Sequence, residues 1–523
     1  MILEHGSGQW SSKTGAGIEI EPVGPEVGQS DRRVPMHNER LVRLIGRQEG
    51  LADPEQILFG LGIQGNVRTY ACVHIHPTGF CVSERKGSEP GEMNRRNIAW
   101  VVAAIARERL PSAIFHPPHQ VLIRTVRILL DLGLPLTAPD LASIPLPDVA
   151  GLTETSSSLL AIVLSHGHRD HWGLMPKVRP DVPFVMGKIT SQILKAASDF
   201  VPDTFSPEVS TFLEHRKTLE IGPFKLTPYL MDHSGFDAYA ISVEADNQRL
   251  FYSGDFRAHG RKSKLFDALL HAPPRNVDLM LMEGSSLGRL DEHQQFPTEQ
   301  ELEEVFVDRF KHTSGMALVA CSAQNIDRVV SIYRACKRSG RVLLVDAYAA
   351  EILKAIDHDS IPKPTSDWAN IAVYLPQSQR RQLVRKGIAS IVDSYRGLRI
   401  WPDELAAKSS NLTMLFRGWM LGDLEKLDAL QGARVIWSQW DGYLKDGPGK
   451  KLVETCTLKN IPFEVVHTSG HASPSDLKRL ASAVGPRKLV PIHTFERDRF
   501  PALFENVSIH NDGEWIEVAS GQI

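Results

Sequence analysis

The amino-acid sequence predicts an α/β fold in which sheets are covered by helices. Short apolar runs typical of buried strands alternate along the chain with segments of helical length. Several of these runs end in a histidine or a carboxylate beside a glycine, which is the arrangement expected of a site at the edge of a sheet. The chain has 523 residues, too many for one hydrophobic core, so two or three domains are expected.

Composition excludes some classes of protein. The chain is 42% hydrophobic and 23% charged, as in ordinary globular proteins, and its formal net charge of -3 gives no general basis for binding nucleic acid. Five scattered cysteines without a Cys-x-x-Cys pair argue against a disulfide framework or a thiolate zinc site and agree with a cytoplasmic location. The apolar run Ile98 to Ala106 is much shorter than the roughly 20 residues that span a bilayer, so no membrane is expected.

The first half of the chain is divided into an N-terminal extension and the first part of a core domain. Residues 1–118 form the extension, with a disordered start over residues 1–38, a short amphipathic helix after Glu39 and a second helix from Asn94 to Leu110. No segment is recognised as the first strand of a sheet. Within residues 119–296, strands are predicted at 126–133, 159–164, 224–230, 240–244, 250–252 and 279–282, with a helix at 189–198.

A second α/β block is predicted for residues 297–455. Strands at 317–320 and 342–345 each precede a helix, at 325–337 and 349–357, which is the order of a doubly wound unit. Residues 456–523 return to short strands, at 463–467, 488–492 and 515–518, with one helix at 475–484.

The stretch from Ser165 to His171 follows the apolar run 159–164 and carries three histidines and a carboxylate in six positions. In extended backbone, His166 and His168 point the same way and can share one metal ion. Asp170 and His171, just beyond them, can reach a second. A lone histidine is usually a solvated or satisfied side chain, but this spacing at the end of a strand predicts two metals.

Other polar side chains follow predicted strands and are expected to converge on the same edge: Asp131, His233, Asp255, Glu283, His471 and His493. Individually each is a weak signal, because strand-end carboxylates are often turn residues or helix caps. Together, with glycines beside them, they predict one site.

The ordered set Asp131, His166-x-His168-x-Asp170-His171, His233 and Asp255 resembles the metallo-β-lactamase superfamily. The later set Glu283, Ser469-Gly470-His471 and Pro491-Ile492-His493-Thr494 resembles the β-CASP branch of nucleases, and most closely its ribonuclease J-like members. The likeness covers about residues 119–523. It implies a metallo-β-lactamase αββα sandwich whose two parts are separated by an inserted doubly wound β-CASP domain at 297–455.

The resemblance also implies a role for each residue. One zinc would be held by His166, His168 and His233, the other by Asp170, His171 and His493, with Asp255 bridging them and manganese as an alternative metal. Asp131 would hold a histidine ligand in its tautomer. Glu283 would orient His471, which would contact the scissile phosphate or protonate the leaving oxygen. Asp131, Asp170, Glu283 and His471 are therefore the implied catalytic residues.

The implied function is that of a zinc-dependent ribonuclease that acts on single-stranded RNA as an endonuclease, a 5′-exonuclease or both. Two zinc ions, two aspartates and a hydroxide activated by both metals would leave about one positive charge, which suits a phosphodiester. His493 favours RNA, because members that act on RNA resemble this chain in having histidine there. The alternatives are a hydrolase of the same superfamily acting on DNA or a small ester, and a non-catalytic RNA-binding scaffold. The oligomeric state stays open.

Candidate substrate-binding residues are Ser322, Gln324, Asn325, Ser469 and His471. The first three lie between a strand and a helix, where amides at the helix N-terminus could hold a terminal phosphate. Helix capping explains Ser322 or Asn325 equally well.

Two further groups are open to both a functional and a structural interpretation. The basic run Arg257, His259, Arg261 and Lys262 could follow a phosphate backbone or form a solvated surface. Trp437 and Trp440 could stack nucleobases, although core packing is favoured for both.

Overall fold

The computed structural model describes residues 69–77, 98–109, 123–135, 138, 140–445, 447–511 and 514–518. The predicted disorder over residues 1–38 and the predicted helix after Glu39 lie outside the described residues.

Strands and helices alternate along most of the described chain. The strands are β1 Thr69–Pro77, β2 Ile98–Arg109, β3 Ile123–Leu132, β4 Leu159–Val163, β5 Phe184–Gly187, β6 Val209–Leu213, β7 Leu219–Ile221, β8 Phe224–Leu230, β9 Tyr239–Ala245, β10 Gln248–Tyr252, β11 Leu279–Glu283, β12 Ala317–Ala320, β13 Val342–Val345, β14 Ile371–Val373, β15 Leu412–Phe416, β16 Arg434–Trp437, β17 Phe463–Val465, β18 Lys488–Ile492 and β19 Trp515–Val518. The α-helices are α1 Arg169–Trp172, α2 Lys188–Ser198, α3 Ser263–His271, α4 Glu299–Lys311, α5 Ile326–Ser339, α6 Ala347–Ile356, α7 Gln377–Arg385, α8 Ser390–Ser394, α9 Pro402–Lys408, α10 Leu421–Lys426, α11 Gly447–Leu458, α12 Pro474–Val484 and α13 Phe500–Leu503. Short 3-10 turns lie at Met175–Lys177, Arg396–Leu398, Ser409–Asn411, Gly418–Met420, Asp441–Leu444 and Arg497–Arg499.

Two sheets pack face to face and carry helices on their outer sides. Their strand orders are β19-β1-β2-β3-β4-β5-β6 and β18-β11-β10-β9-β8-β7. Alternation along β3 explains the layers, since Ile128 and Leu130 pack with Ile241 of the facing sheet, whereas Leu129 points outward to Leu194 of α2. On the other side, Met280 of β11 packs with residues of α3 and α12. The layers are therefore helix, sheet, sheet, helix, and the predicted αββα sandwich is confirmed.

A third sheet lies in the chain between β11 and β18. Its order is β14-β13-β15-β12-β16-β17, and all its strand pairs are parallel. One face packs on α4, α5 and α6, and the other on α9, α10 and α11. Because both faces are covered, β12 and β13 are continuous apolar runs, and β15 is apolar except for the buried Thr413. This is a doubly wound unit, and its assignment as a β-CASP domain, like the four-part domain division, stays a prediction.

The helix predicted from Asn94 to Leu110 is wrong. Residues 98–109 form β2, which pairs antiparallel with β1 on one side and with β3 on the other. The apolar run from Ile98 has no period that distinguishes a helix from a central strand, and the pairing partners decide between them. Both β1 and β2 come from the segment that sequence analysis set apart as an extension.

Several other elements agree with the sequence to the residue, among them β12, β13, β18 and β19. Among the helices of the described residues, none has both the length and the apolar character needed to cross a bilayer.

Candidate metal centre

The predicted metal-ligating residues converge on one edge of the sandwich, where its strands end. His166, His168, Asp170 and His171 follow β4, His233 follows β8, Asp255 follows β10 and His493 follows β18. Glu283 is the last residue of β11, and Asp131 stands near the end of β3. Residues more than 300 positions apart in the chain are thus brought into one cluster.

Three imidazoles form the first group of donor atoms. The Nδ1 atom of His168 lies 3.1 Å from Nε2 of His166 and 3.1 Å from Nε2 of His233. Donors of a tetrahedral zinc ion, with Zn–N bonds of about 2.0–2.1 Å, are separated by roughly 3.3 Å. The three nitrogen atoms therefore fit one zinc ion.

A second group combines carboxylates and imidazoles. Oδ2 of Asp170 lies 3.6 Å from Nε2 of His493, and His171 belongs to the same group. Oδ2 of Asp255 lies 3.2 Å from Nε2 of His171 and 3.8 Å from Nε2 of His166, so it stands between the two groups. Imidazole and carboxylate donors suit zinc and also accommodate manganese. The residues thus fit two divalent ions with Asp255 shared.

Asp131 organises the site from behind the second group. Its Oδ2 accepts hydrogen bonds from Nδ1 of His171 at 2.7 Å, from the hydroxyl of Tyr252 at 2.6 Å and from the hydroxyl of Ser165 at 2.6 Å. Its Oδ1 accepts from the backbone N–H of Ser165 at 2.6 Å. A proton on Nδ1 of His171 would leave Nε2 free to ligate, which is the role that the resemblance implies for Asp131 and which stays a prediction.

Other histidines of the site have comparable partners. Nδ1 of His233 donates to the carbonyl oxygen of Gly470 at 2.6 Å, and Nδ1 of His166 lies 3.0 Å from the hydroxyl of Ser165. The Ser285 hydroxyl lies 2.8 Å from Nδ1 of His493. Each contact fixes a ring orientation from the side away from the cluster or at its rim.

His471 stands at the mouth of the site with its side chain 21% exposed. Its Nδ1 lies 3.0 Å from Oε2 of the buried Glu283 and 3.6 Å from Oδ2 of Asp255. The Glu283 carboxylate is itself held by the backbone N–H groups of Phe256, at 3.0 Å, and Ser285, at 3.3 Å. The structure therefore brings Glu283 against His471, and the orienting role that the resemblance implies for Glu283 stays a prediction.

Burial and charge separate the protonation behaviour of the two groups. Burial lowers the pKa of His166 and of His233, and neighbouring imidazoles lower both further. Burial also opposes the charged form of His171, but the carboxylates of Asp255 and Asp131 raise its pKa well above the usual value. For Asp255, burial acts to raise the pKa, and the imidazoles of His493 and His171 outweigh it and lower the pKa. The imidazoles of the first group are thus neutral and ready to ligate, whereas the carboxylates of the second group favour protonated imidazoles, whose protons a divalent ion would displace.

Two glycines allow the backbone to approach the cluster. A Cβ on Gly133 would lie 1.7 Å from the backbone carbonyl oxygen of Asp170, so only glycine fits where the end of β3 meets the ligand loop. A Cβ on Gly235 would lie within about 3.3 Å of the rings of His166, His168 and His233. At both positions the absence of a side chain lets backbone approach the candidate ligands closely.

The candidate substrate loop lies beside the first group. Gly235 and Asn325 form an isolated backbone bridge, so the loop before α5 touches the loop that carries His233. Asn325 caps α5 by accepting from the backbone N–H of Arg328 at 3.2 Å, and Gln324 donates to the Tyr348 hydroxyl at 2.9 Å. Ser322 is exposed, and its hydroxyl accepts from the backbone N–H of Gln324. Asn325 therefore caps α5, and the loop that carries it also lies beside the first group of candidate ligands.

Ser469 is buried, and its hydroxyl accepts from the backbone N–H of His471 at 3.1 Å. This hydrogen bond helps to fix the conformation of the loop that carries His471. Direct substrate binding by Ser469 stays a prediction.

The prediction that the basic run follows a phosphate backbone is wrong, and so is its alternative of a solvated surface. Arg257 is fully buried against Glu299 and Asp327, and His259 is buried with Nε2 donating to the carbonyl oxygen of Ser469 at 2.9 Å. The other two cations pair inside the protein, Arg261 with Glu303 and Lys262 with Asp327. Buried carboxylates from α4 and α5, far along the chain, neutralise these side chains.

The two tryptophans have different surroundings. Trp437, in β16, is buried in the core, as favoured for both residues. Trp440, three residues later, is 41% exposed, so the core packing favoured for it is wrong.

The sequence does not predict the hydroxyl groups that contact the candidate ligands and Asp131. Tyr252, Ser165 and Ser285 supply them, and each precedes or follows a predicted site residue by one to three positions. The only sequence signal for these residues is a hydroxyl side chain at a strand end close to a predicted site residue. This signal does not predict a contact, because the partner of each hydroxyl is remote in sequence.

Comparison with protein families supports this description. Residues 126–306 match the model of the β-lactamase superfamily domain. The chain is similar to ribonuclease J of Mycobacterium tuberculosis, at 25% identity over 380 residues, and to ribonuclease J of Sinorhizobium meliloti, at 22% over 380 residues. These alignments cover 66% and 70% of this chain, and 60% and 63% of the relatives. The chain thus spans less than two thirds of their length.

A solved structure also has this fold. It is a protein of unknown function from Enterococcus faecalis, with a TM-score of 0.62 and 19% identity, and the match covers 86% of this chain and all of the other. At this identity the likeness concerns the fold alone.

Proposed function

We propose that the protein is a metal-dependent hydrolase of single-stranded RNA, because residues 126–306 match the model of the β-lactamase superfamily domain and most of the chain is similar to ribonuclease J. The observation that supports this most is the geometry of the donor atoms, which fit two adjacent divalent ions with one shared carboxylate. Zinc is the proposed metal and manganese a substitute.

His166, His168 and His233 would hold one ion, Asp170, His171 and His493 the other, and Asp255 both. Divalent ions in such a site lower the pKa of water to about 7, which supplies the proposed hydroxide nucleophile, and they stabilise negative charge on phosphoryl oxygens.

The chain's own residues complete the proposed mechanism. His471 is positioned by Glu283 at the mouth of the site and donates a proton to the leaving oxygen. Asp131 keeps His171 in the tautomer that ligates. The loop of Ser322, Gln324 and Asn325 lies near enough to the first group to hold a 5′-terminal phosphate, which would support exonucleolytic cutting.

The first test compares the chain with a variant that lacks one donor. His168→Ala removes the imidazole whose Nδ1 faces both His166 and His233, so cleavage of single-stranded RNA should fall to the detection limit while the fold persists. His312→Ala changes a side chain that is 72% exposed on the doubly wound unit and should leave cleavage unchanged. RNA cleavage that survives His168→Ala would contradict the proposal.

Substrate and metal are tested on the same preparation. Elemental analysis should find about two zinc ions per chain, and a strong chelator should stop turnover until zinc or manganese is restored. RNA, DNA and a chromogenic phosphodiester should be compared side by side. Turnover of DNA alone would select the DNA-acting alternative, and tight RNA binding without turnover would select the scaffold.

A further inference from the structure

An exposed aromatic pair stands shortly after β16, where Trp440 immediately precedes the 3-10 turn Asp441–Leu444 and Tyr443 lies within it. Trp440 is 41% exposed and Tyr443 is 43% exposed, and their ring centroids lie 5.3 Å apart at an interplanar angle of 79°. Large aromatic side chains are usually well buried, so two neighbouring rings left open to solvent at a strand end call for a ligand with an apolar face.

A cation from the sandwich completes the pair. Cζ of Arg289 lies 5.3 Å from the centroid of the Trp440 ring. Arg289 follows β11 by six residues, so the doubly wound unit supplies the rings and the sandwich supplies the guanidinium. A ring and a cation held together offer a stacking face and a phosphate contact side by side.

This group borders the candidate metal centre. Gly288, next to Arg289, has its α-carbon against Glu496, since a Cβ there would lie 3.1 Å from Cγ of Glu496, three residues after His493. Partial burial raises the pKa of the Tyr443 phenol, and the carboxylate of Asp170 raises it further. The aromatic pair and its cation are therefore within electrostatic reach of a predicted metal ligand.

We propose that Trp440 and Tyr443 form a stacking platform for a nucleobase of single-stranded RNA next to the scissile phosphate, with Arg289 contacting the backbone. This inference rests on the proposed function. Every base has a π-face, so the platform is tolerant of sequence, and a base paired in a duplex cannot reach it without being unstacked.

The test measures KM and kcat for RNA cleavage by the full chain. Trp440→Leu should raise KM for single-stranded RNA by about tenfold, since stacking on one aromatic ring contributes on the order of a tenfold or larger gain in binding. Trp440→Phe, which keeps a ring, should recover most of this loss. Gly442→Ala keeps the tryptophan but places a Cβ 2.3 Å from its ring, and should reproduce the loss.

Trp401 provides a matched control, because it is 44% exposed and Cζ of Arg399 lies 4.1 Å from its ring centroid. Arg399 pairs with β14, which is four strands from β16 and so about 19 Å away. Trp401→Leu should leave KM for RNA unchanged.

RNAs that carry one abasic position at a time identify the stacked base. At one position near the cut, the difference in KM between the chain and Trp440→Leu should disappear. The platform would be overturned, and the proposed function left standing, if the unaltered chain and Trp440→Leu cut RNA with equal KM. The same conclusion would follow if their KM values differed but no abasic position removed that difference. A metal-loaded chain that does not cut RNA would overturn both.

Discussion

At the scale of single residues, Asp131 belongs to neither group of candidate ligands, yet four donors meet its carboxylate. Three of them converge on Oδ2, among them Nδ1 of His171. An aspartate in this place accepts all four, whereas an asparagine must present its N–H2 group to at least one donor. The residue would set the tautomer of a candidate ligand, His171, without itself ligating an ion.

Asp131→Asn should therefore lower zinc affinity by about 10- to 100-fold, the usual cost of losing an outer partner of a metal-ligating histidine. Competition between the metal-free chain and a chromogenic chelator measures this directly. Asp148→Asn, at an exposed position on a loop of the same domain, is the matched control and should bind zinc as the unaltered chain does. Equal zinc affinity in the two variants would show that Asp131 has no part in holding His171.

Much of the site could be predicted from sequence at this scale. Their spacing predicts His166, His168 and Asp170 as site residues. Asp255 is predicted by its place after an apolar run and a glycine. The fate of Arg257 could not be predicted, since its partners Glu299 and Asp327 come from helices of the second block. A cationic side chain without an acidic neighbour in sequence can thus be neutralised by carboxylates that the tertiary structure brings to it.

At the scale of elements, the junction between β3 and the ligand loop depends on the absence of a side chain. Gly133 follows β3, and the backbone carbonyl of Asp170 occupies the space that a Cβ would need. The same limitation of local reasoning appears in β2, whose apolar run alone predicts a helix, because only its pairing with β1 and β3 identifies it as a strand. The pairing partners of a strand and the close contacts of a glycine both depend on residues far away in sequence, so a local stretch does not predict them.

Gly133→Ala should destabilise the protein by about 1–3 kcal/mol, because a 1.7 Å overlap with backbone can be relieved only by moving the loop. It should weaken zinc binding as well, since the loop carries Asp170. The melting temperature and a zinc titration report the two effects. Gly422→Ala, in α10 with nothing within 4 Å of the added Cβ, should be neutral or slightly stabilising. A Gly133→Ala variant as stable as Gly422→Ala would contradict the close approach.

At the scale of the whole molecule, a buried charge cluster joins the doubly wound unit to the metal edge. Arg257 donates to the carbonyl oxygen of Ser469 at 3.1 Å and to Asp327 of α5 at 2.6 Å, while Arg328 of α5 donates to Glu299 at 3.0 Å. Lys262 links Asp327 to the carbonyl oxygen of His233 at 3.1 Å. Loops that carry His233 and His471 are thus anchored on helices of the other unit, and removing one charge would leave others buried without compensation.

The cluster also predicts how stability depends on pH through the buried His259. Burial and the neighbouring Arg257 lower the pKa of this imidazole to about 4, from an unfolded value near 6.5. Stability from this group is complete above pH 6.5 and is lost as pH falls toward 4, because the unfolded chain binds the proton first. The loss is at most about 3 kcal/mol, the free energy equivalent of that pKa difference.

His259→Gln keeps a donor for the Ser469 carbonyl but cannot titrate, so its melting temperature should fall less steeply between pH 6.5 and pH 4 than that of the unaltered chain. Part of the slope should remain, since burial lowers the pKa of His467 to about 3 in the same region. The exposed His312→Ala variant should keep the full slope. Parallel pH profiles for all three proteins would mean that His259 becomes protonated in the folded state as readily as in the unfolded one, and that the cluster does not hold its imidazole neutral.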